Sequence, residues 1–277
     1  MKNYLKKTFV ALLFFVAINC VDIHVNAAPN NPQDTYTQGV NAGAIDKYTV
    51  SFAQWETQNS QYYQIYQQGL NHGMYQMSYE QWLKENNFGQ GPISSGKITK
   101  KENNKNLRAL NDMTVKPGDI IVTNSASSGG ILGHAAICDR PGYVLDMPGS
   151  PAEPLNDNNR ELTAQEWFNH YHRTGKFIKV YHAQNQKDAQ EAALVGDYAL
   201  SHYWDPNRSF TKSIHIPYSI FYGLYNTSAM YCSKLVYDAY WFTTGNDSLI
   251  KESKVFETPY ELAADIKFPL TEVDYTD

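Results

Sequence analysis

Gly133-His134-Ala135-Ala136-Ile137-Cys138-Asp139-Arg140-Pro141-Gly142-Tyr143-Val144-Leu145-Asp146 is the stretch that decides the fold. Gly133 to Cys138 is apolar apart from His134 and reads as a buried strand. Asp139-Arg140-Pro141 carries turn residues, and Tyr143 to Asp146 reads as the returning strand. Counting outward from that turn places His134 directly opposite Asp146. Cross-strand partners have Cβ atoms about 4.5–5.5 Å apart. A carboxylate at that distance can hold one imidazole nitrogen and leave the other free, as a base requires.

Upstream, Lys116-Pro117-Gly118-Asp119 is a turn and Ile120-Ile121-Val122 another buried strand. Ser125 to Gly130 is a small-residue loop between the two strands. Downstream, Thr163 and Glu166 form a capping box ahead of Trp167, Phe168 and Tyr171, with Gly175 as a stop. Phe177 to Tyr181 is a further strand, and Gln186 to about Tyr203 a helix. The last strong helix runs from near Met230 to Phe242. Its Cys232, Leu235, Val236, Ala239 and Tyr240 share one face. This is an α+β pattern, a small antiparallel sheet with helices segregated around it.

Cys232 falls in the first turn of that last helix, on the apolar face. Unpaired N–H groups and partial positive charge at a helix start favour a thiolate, and a nearby imidazolium favours it further. The same N–H groups can stabilise an oxyanion. Thiol, imidazole and carboxylate together follow the logic of a nucleophilic triad. Taken singly, each is a common structural residue; their value lies in the combination.

Four segments carry a resemblance. Lys116-Pro117-Gly118-Asp119-Ile120-Ile121, Gly133-His134-Ala135-Ala136-Ile137-Cys138, Tyr143-Val144-Leu145-Asp146 and Tyr231-Cys232-Ser233-Lys234-Leu235-Val236-Tyr237 resemble the NlpC-type papain-like cysteine hydrolases. The His strand precedes the Cys helix, the circularly permuted order of the YiiX/YaeF-like branch, which is related to lecithin retinol acyltransferase. The twelve-residue step from His134 to Asp146 matches the spacing in those relatives, and Thr258-Pro259-Tyr260-Glu261-Leu262 resembles a Thr-Pro segment near the end of the branch. The resemblance covers roughly residues 115–270. It implies a permuted papain-like fold with Cys232 as nucleophile, His134 as general base and Asp146 as orienter. Many relatives carry His, Asn or Glu at the third position, where this chain has Asp.

Before that region, residues 28–110 read as a mostly helical, polar extension, with a loop from Gly89 to Lys101. Tyr62, Ile65, Tyr66 and Leu70 recur at helical spacing toward Gly73, and Ser78 with Gln81 makes a second capping box. Lys2, Lys6 and Lys7 precede an apolar run from Phe9 to Ala17, too short to span a membrane. With Val25-Asn26-Ala27 it reads as a secretory signal cleaved near Ala27, so the expected organisation is signal 1–27, extension 28–110 and catalytic domain 111–277. Asn19 before Cys20 argues against a lipid anchor there, and no other segment is apolar enough to span a membrane.

The 277 residues carry 23 basic and 28 acidic side chains, a net charge of -5, with mean hydropathy -0.51. Cleavage near Ala27 leaves 20 basic and 27 acidic ones, net -7. That balance excludes a general nucleic-acid binder, and three cysteines are too few for a disulfide scaffold. After cleavage only Cys138 and Cys232 remain, either paired or free. No cofactor is implied. His170, His172 and His182 lack the spacing of a metal set, so no metal is expected. The leading functional expectation is a secreted cysteine amidase or endopeptidase acting on peptidoglycan peptides. The rivals are a lipid acyl hydrolase or acyltransferase of the same fold, and a non-catalytic wall- or glycan-binding domain. Nothing in the sequence specifies an oligomeric state.

Overall fold

A computed structural model describes residues 31–71, 77–91, 96–103, 113–125, 133–149, 152–220, 222–253 and 256–276. The expected signal at 1–27 with Cys20, the stop at Gly73 and most of the Ser125–Gly130 loop lie outside them. In chain order the elements are α1 (Pro32–Asn41), α2 (Phe52–Asn71), α3 (Tyr79–Glu85), β1 (Ile98–Asn103), β2 (Ile120–Thr123), β3 (His134–Arg140) and β4 (Tyr143–Asp146). Then come β5 (Arg160–Thr163), α4 (Ala164–Tyr171), β6 (Ile178–Ala183), α5 (Gln186–Tyr203), α6 (Cys232–Thr244), α7 (Leu262–Asp265) and β7 (Leu270–Asp274).

The strands form one mixed sheet in the order β1-β7-β6-β2-β3-β4-β5. Central β2 is buried on both faces, which explains its unbroken apolar run. Ile120 and Val122 face a core shared with α5 and α6, whereas Ile121 faces a second core under α4. The α+β class read from the sequence is the one observed.

Three strands were not legible. β5 is half-exposed along its length, with Leu162 its one apolar residue. β7 alternates Leu270, Glu272 and Asp274 with Thr271 and Val273, too short a pattern to separate from a loop. The Gly89–Lys101 stretch is likewise not all loop: β1 begins at Ile98 and pairs in parallel with β7. The sheet therefore takes its edge strand from the region read as a helical extension.

Both capping boxes are present, at Ser78 with Gln81 and at Thr163 with Glu166. Helices α1–α3 enclose a core of their own that includes Trp55, Tyr62, Trp82 and Leu83. Phe256 packs against this core and against the one under α5 and α6.

The Lys116–Asp119 turn locks α5 to the sheet. Gly118 sits at φ +85°, and a Cβ there would lie 1.9 Å from the Ala192 carbonyl oxygen on α5. Only glycine permits both the conformation and the approach. The Tyr240 hydroxyl of α6 donates to the Gly118 carbonyl at 2.6 Å, so both helices index on this turn. Burial of Leu235, Val236 and Tyr240 holds α6 against the sheet, each contributing about 1.5–3 kcal/mol. Gly245, in the left-handed conformation, ends α6.

Candidate active site

His134 opens β3, with Gly133 before it at φ +78°. A Cβ on Gly133 would meet the Tyr260 ring at 2.6 Å. Glycine thus lets the Thr258-Pro259-Tyr260 segment close over the start of the His strand. That segment is tied to α6 as well: Ser233 Oγ donates to the Glu257 carbonyl, and the Glu257 N–H donates to the Tyr231 hydroxyl.

The hairpin register differs from the sequence expectation. Ala136, not His134, lies opposite Asp146. The register shifts between Cys138 and Arg140, and the turn itself is Pro141-Gly142. A bulge admits one extra residue and adds twist, which accommodates a tight Pro-Gly turn between twisted strands. His134 and Asp146 stay on one face as diagonal neighbours, within reach of long side chains. His134 Nε2 and Asp146 Oδ2 are 2.9 Å apart.

Asp146 is fully buried and fully bonded. Besides His134 it accepts from Arg160 Nε at 3.1 Å and Nη2 at 2.9 Å, from Trp167 Nε1 at 3.0 Å and from the Tyr171 hydroxyl at 3.2 Å. Burial alone would raise this carboxyl, but the bond and charge of His134, then Arg160, hold it down at about 2. Arg160, Trp167 and Tyr171 escaped the sequence reading as site residues. Trp167 and Tyr171 were legible only as the apolar face of a capped helix, although both rings carry polar tips. Arg160 is directly opposite Asp146 on β5, a strand whose pattern was invisible.

The imidazole is held as a plate. Trp167 stacks on it at 6.1 Å between centroids, and Tyr171 lies at 4.9 Å. With Nε2 committed to Asp146, Nδ1 is the nitrogen left for Cys232. Burial alone would lower His134, but its interactions with Asp146 and Cys232 carry it up to about 9. Burial alone would raise the Cys232 thiol, but the bond and charge of His134, then the N–H groups of Ala135 and Ser233, bring it below its ordinary value. These opposite shifts are what a thiolate–imidazolium pair produces.

Cys232 is the first residue of α6. Tyr231, the N-cap, makes no side-chain capping bond, so no capping side chain takes the helix's first N–H groups. Tyr218 is partly buried against the core that includes Cys232, and burial followed by the charge of Cys232 raises its phenol, which keeps it a donor. One turn into α6, Lys234 and Asp238 form a fully buried ion pair, and Lys234 also donates to the Leu224 carbonyl. The loop before Cys232 is thereby tied to the helix that carries the thiol.

Cys138 and Cys232 are both free thiols. They sit in different cores, Cys138 under α4 and Cys232 against α5 and α6, so the disulfide alternative does not hold in this structure. Burial raises the Cys138 thiol far above the range in which it would ionise at neutral pH.

The three residues singled out in the sequence thus meet in one buried cluster, and known relatives can be set beside it. Residues 92–268 match the family described as "Lipoprotein N-acylation protein LnsA-like". The chain belongs to that family. The family sits within the papain-like group that includes the YiiX-like and lecithin retinol acyltransferase-like enzymes, and its members are of acyltransferase or hydrolase type. An uncharacterized 30.3 kDa protein of Bacillus thuringiensis is 34% identical over 258 residues, covering 92% of each chain. That likeness therefore reaches beyond residues 92–268 into the region of the N-terminal helices. No solved structure matches the chain. Among the described residues, no helix is long and apolar enough to cross a membrane.

Proposed function

We propose that this LnsA-like protein is a thiol-dependent acyltransferase that carries its acyl group as a thioester on Cys232. The single observation behind this reading is the buried chain of Cys232, His134 and Asp146, with the carboxylate saturated by Arg160, Trp167 and Tyr171. Cys232 is the nucleophile, His134 the base and acid, and Asp146 the orienter. The thiolate attacks an acyl carbonyl while the N–H groups at the start of α6 hold the oxyanion. His134 protonates the leaving alcohol, and the acyl-enzyme waits for an acceptor.

The family's description favours acyl transfer over cleavage of wall peptides. Of the activities raised by the sequence, the lipid acyl alternative is therefore the better supported, and peptidoglycan finds no independent support. An amine of a lipoprotein is the acceptor that the description suggests for this chain. The order of His strand and Cys helix supports placement in the permuted papain-like branch. An export segment at residues 1–27 would put the chemistry outside the cell.

The test is intact-mass spectrometry after mixing the protein with p-nitrophenyl octanoate and quenching in acid. One octanoyl group is expected, mapping to Cys232 and released by neutral hydroxylamine. Turnover with no adduct on Cys232 at any time would contradict a thioester route.

A further inference from the structure

Among the described residues, two cations pair with Asp146, and they differ in kind. His134 is a cation only while both ring nitrogens hold hydrogen, whereas a guanidinium is charged at every working pH. Arg160 lies directly opposite Asp146 in the pairing of β4 with β5. Its Nε donates to Oδ1 at 3.1 Å and its Nη2 to Oδ2 at 2.9 Å, the two-point grip of a guanidinium on a carboxylate. Nη2 also donates to the Tyr171 hydroxyl at 3.2 Å, and that hydroxyl donates on to Oδ2. The arginine side chain is 12% exposed and that of Asp146 not at all, so solvent does little to balance either charge.

The other titratable groups around the carboxylate supply no cation. On α4, burial first holds the Tyr171 phenol protonated, and burial followed by the charge of Arg160 lowers His170, which leaves it neutral at neutral pH. From α6, Cys232 faces His134.

In the resting site the charges alternate as thiolate, imidazolium, carboxylate and guanidinium. Acylation changes that row. Cys232 becomes a neutral thioester, and His134 gives its proton to the leaving group. The bond and charge of Cys232, two of the influences that raise His134, are then gone. Asp146 stays wholly buried, with Arg160 as its remaining counter-charge. The second half of the reaction needs one form of the ring, with Nε2–H donating to Asp146 and Nδ1 bare as the base. Without the guanidinium, the buried carboxylate would draw a proton back. On the carboxyl, that proton is donated to Nε2 and forces the ring hydrogen to Nδ1; on the ring, it makes an imidazolium. Either way Nδ1 carries hydrogen and the base is lost.

We propose that Arg160 is a positioning residue for the second half-reaction: its fixed charge keeps Asp146 ionised while Cys232 is acylated, so that His134 Nδ1 can take a proton from the acceptor. The proposal rests on the thioester reading above. In that step the acceptor's oxygen or nitrogen bonds to the thioester carbonyl carbon and the carbon–sulfur bond breaks. The sulfur leaves with the electron pair as thiolate, and the acceptor's proton passes to Nδ1. The first half-reaction makes no such demand, because the imidazolium is then a cation beside Asp146.

The experiment separates the two halves, with water as the acceptor. Acylation is read from the p-nitrophenolate burst with p-nitrophenyl octanoate. Hydrolysis is read from the decay of octanoyl-Cys232 by intact mass after excess ester is removed, between about pH 5 and 9.5. Wild-type hydrolysis is expected to rise with pH through a limb near the ordinary imidazole value of about 6.5. Arg160→Met, and Arg160→Gln, which keeps an N–H donor without the charge, should acylate within threefold of wild type. Their hydrolysis limb should move up by at least one unit, so that below it decay is about tenfold slower and above it the rates meet. Arg160→Lys, which keeps the charge, should hold the limb within half a unit of wild type. A limb unmoved in the neutral variants, or acylation slowed as much as hydrolysis at every pH, would overturn the role. A wild-type limb near about 9 would overturn it too, even if neither neutral variant folds, because the proton would then be held despite Arg160. Absence of an octanoyl adduct in wild type would instead remove the thioester reading, and this role with it.

Discussion

Cys232→Ala is expected to remove acyl turnover by about 10⁴–10⁶-fold, the scale seen when a nucleophile is deleted from a unit that acts together. The loss should appear in kcat while the fold is retained, because the change removes a single sulfur atom and leaves the rest of α6 in place. Cys138→Ala provides the contrast. It deletes a wholly buried thiol from the core under α4, a loss of about 1–2 kcal/mol in stability. Its turnover should stay within twofold of wild type, because burial keeps this thiol protonated and its Sγ is bonded to the Arg140 carbonyl. Rates on the same ester, with denaturation midpoints for both variants, check the pair. Equal loss of turnover in the two would remove Cys232 from its assigned role.

The second large effect is expected at Asp146. Asp146→Ala strips five hydrogen bonds from one carboxylate and leaves the Arg160 guanidinium, the Trp167 N–H, the Tyr171 hydroxyl and the His134 ring without their acceptor. Removing one partner of a buried ion pair costs about 3–5 kcal/mol. Asp146→Asn keeps the shape and should fold, but the neutral amide no longer stabilises an imidazolium, so turnover should fall about 10²–10⁴-fold.

The sign of the pH dependence follows from both shifts. Asp146 is depressed to about 2, so its contribution is present above the unfolded value of about 3.9 and lost as pH falls through about 2. His134 is raised to about 9, so its contribution is complete below the unfolded value of about 6.5 and lost as pH rises through about 9. Urea titrations should therefore show the stability deficit of Asp146→Ala largest between about pH 4 and 6.5 and smaller by pH 10. A deficit that grows toward pH 10 would contradict the pairing.

What the sequence disclosed, and what it hid, follows from how each signal is stored. β2, β3 and β4 are buried strands that announce themselves by composition, and α6 by its helical stripe. The partnership of His134 and Asp146 survived a wrong register because the later turn at Pro141-Gly142 and the one-residue bulge together moved the pairing by two residues, and a shift of two preserves the face. A shift of one would have separated them. Arg160 stayed hidden because its strand has little apolar content, and an exposed-looking arginine declares a buried partner only once β5 is paired with β4. β1 stayed hidden because Lys100, Lys101 and Glu102 read as a solvated run, which suits an edge strand that needs protection from further pairing. Tyr218 is placed by its long-range bridge to Met230 in the segment before α6, for which local pattern carries no signal.

The most direct measurement is the rate of iodoacetamide alkylation of Cys232 against pH, read by peptide mapping, in wild type and His134→Ala. A thiolate–imidazolium pair requires fast alkylation of wild type well below the unperturbed thiol value of about 8.5. In His134→Ala, burial acts without the imidazolium, so the rate should collapse at neutral pH and rise only above that value. Slow alkylation of wild type throughout, or a profile unchanged by loss of the imidazole, would contradict the assignment of Cys232 and His134 as the working pair.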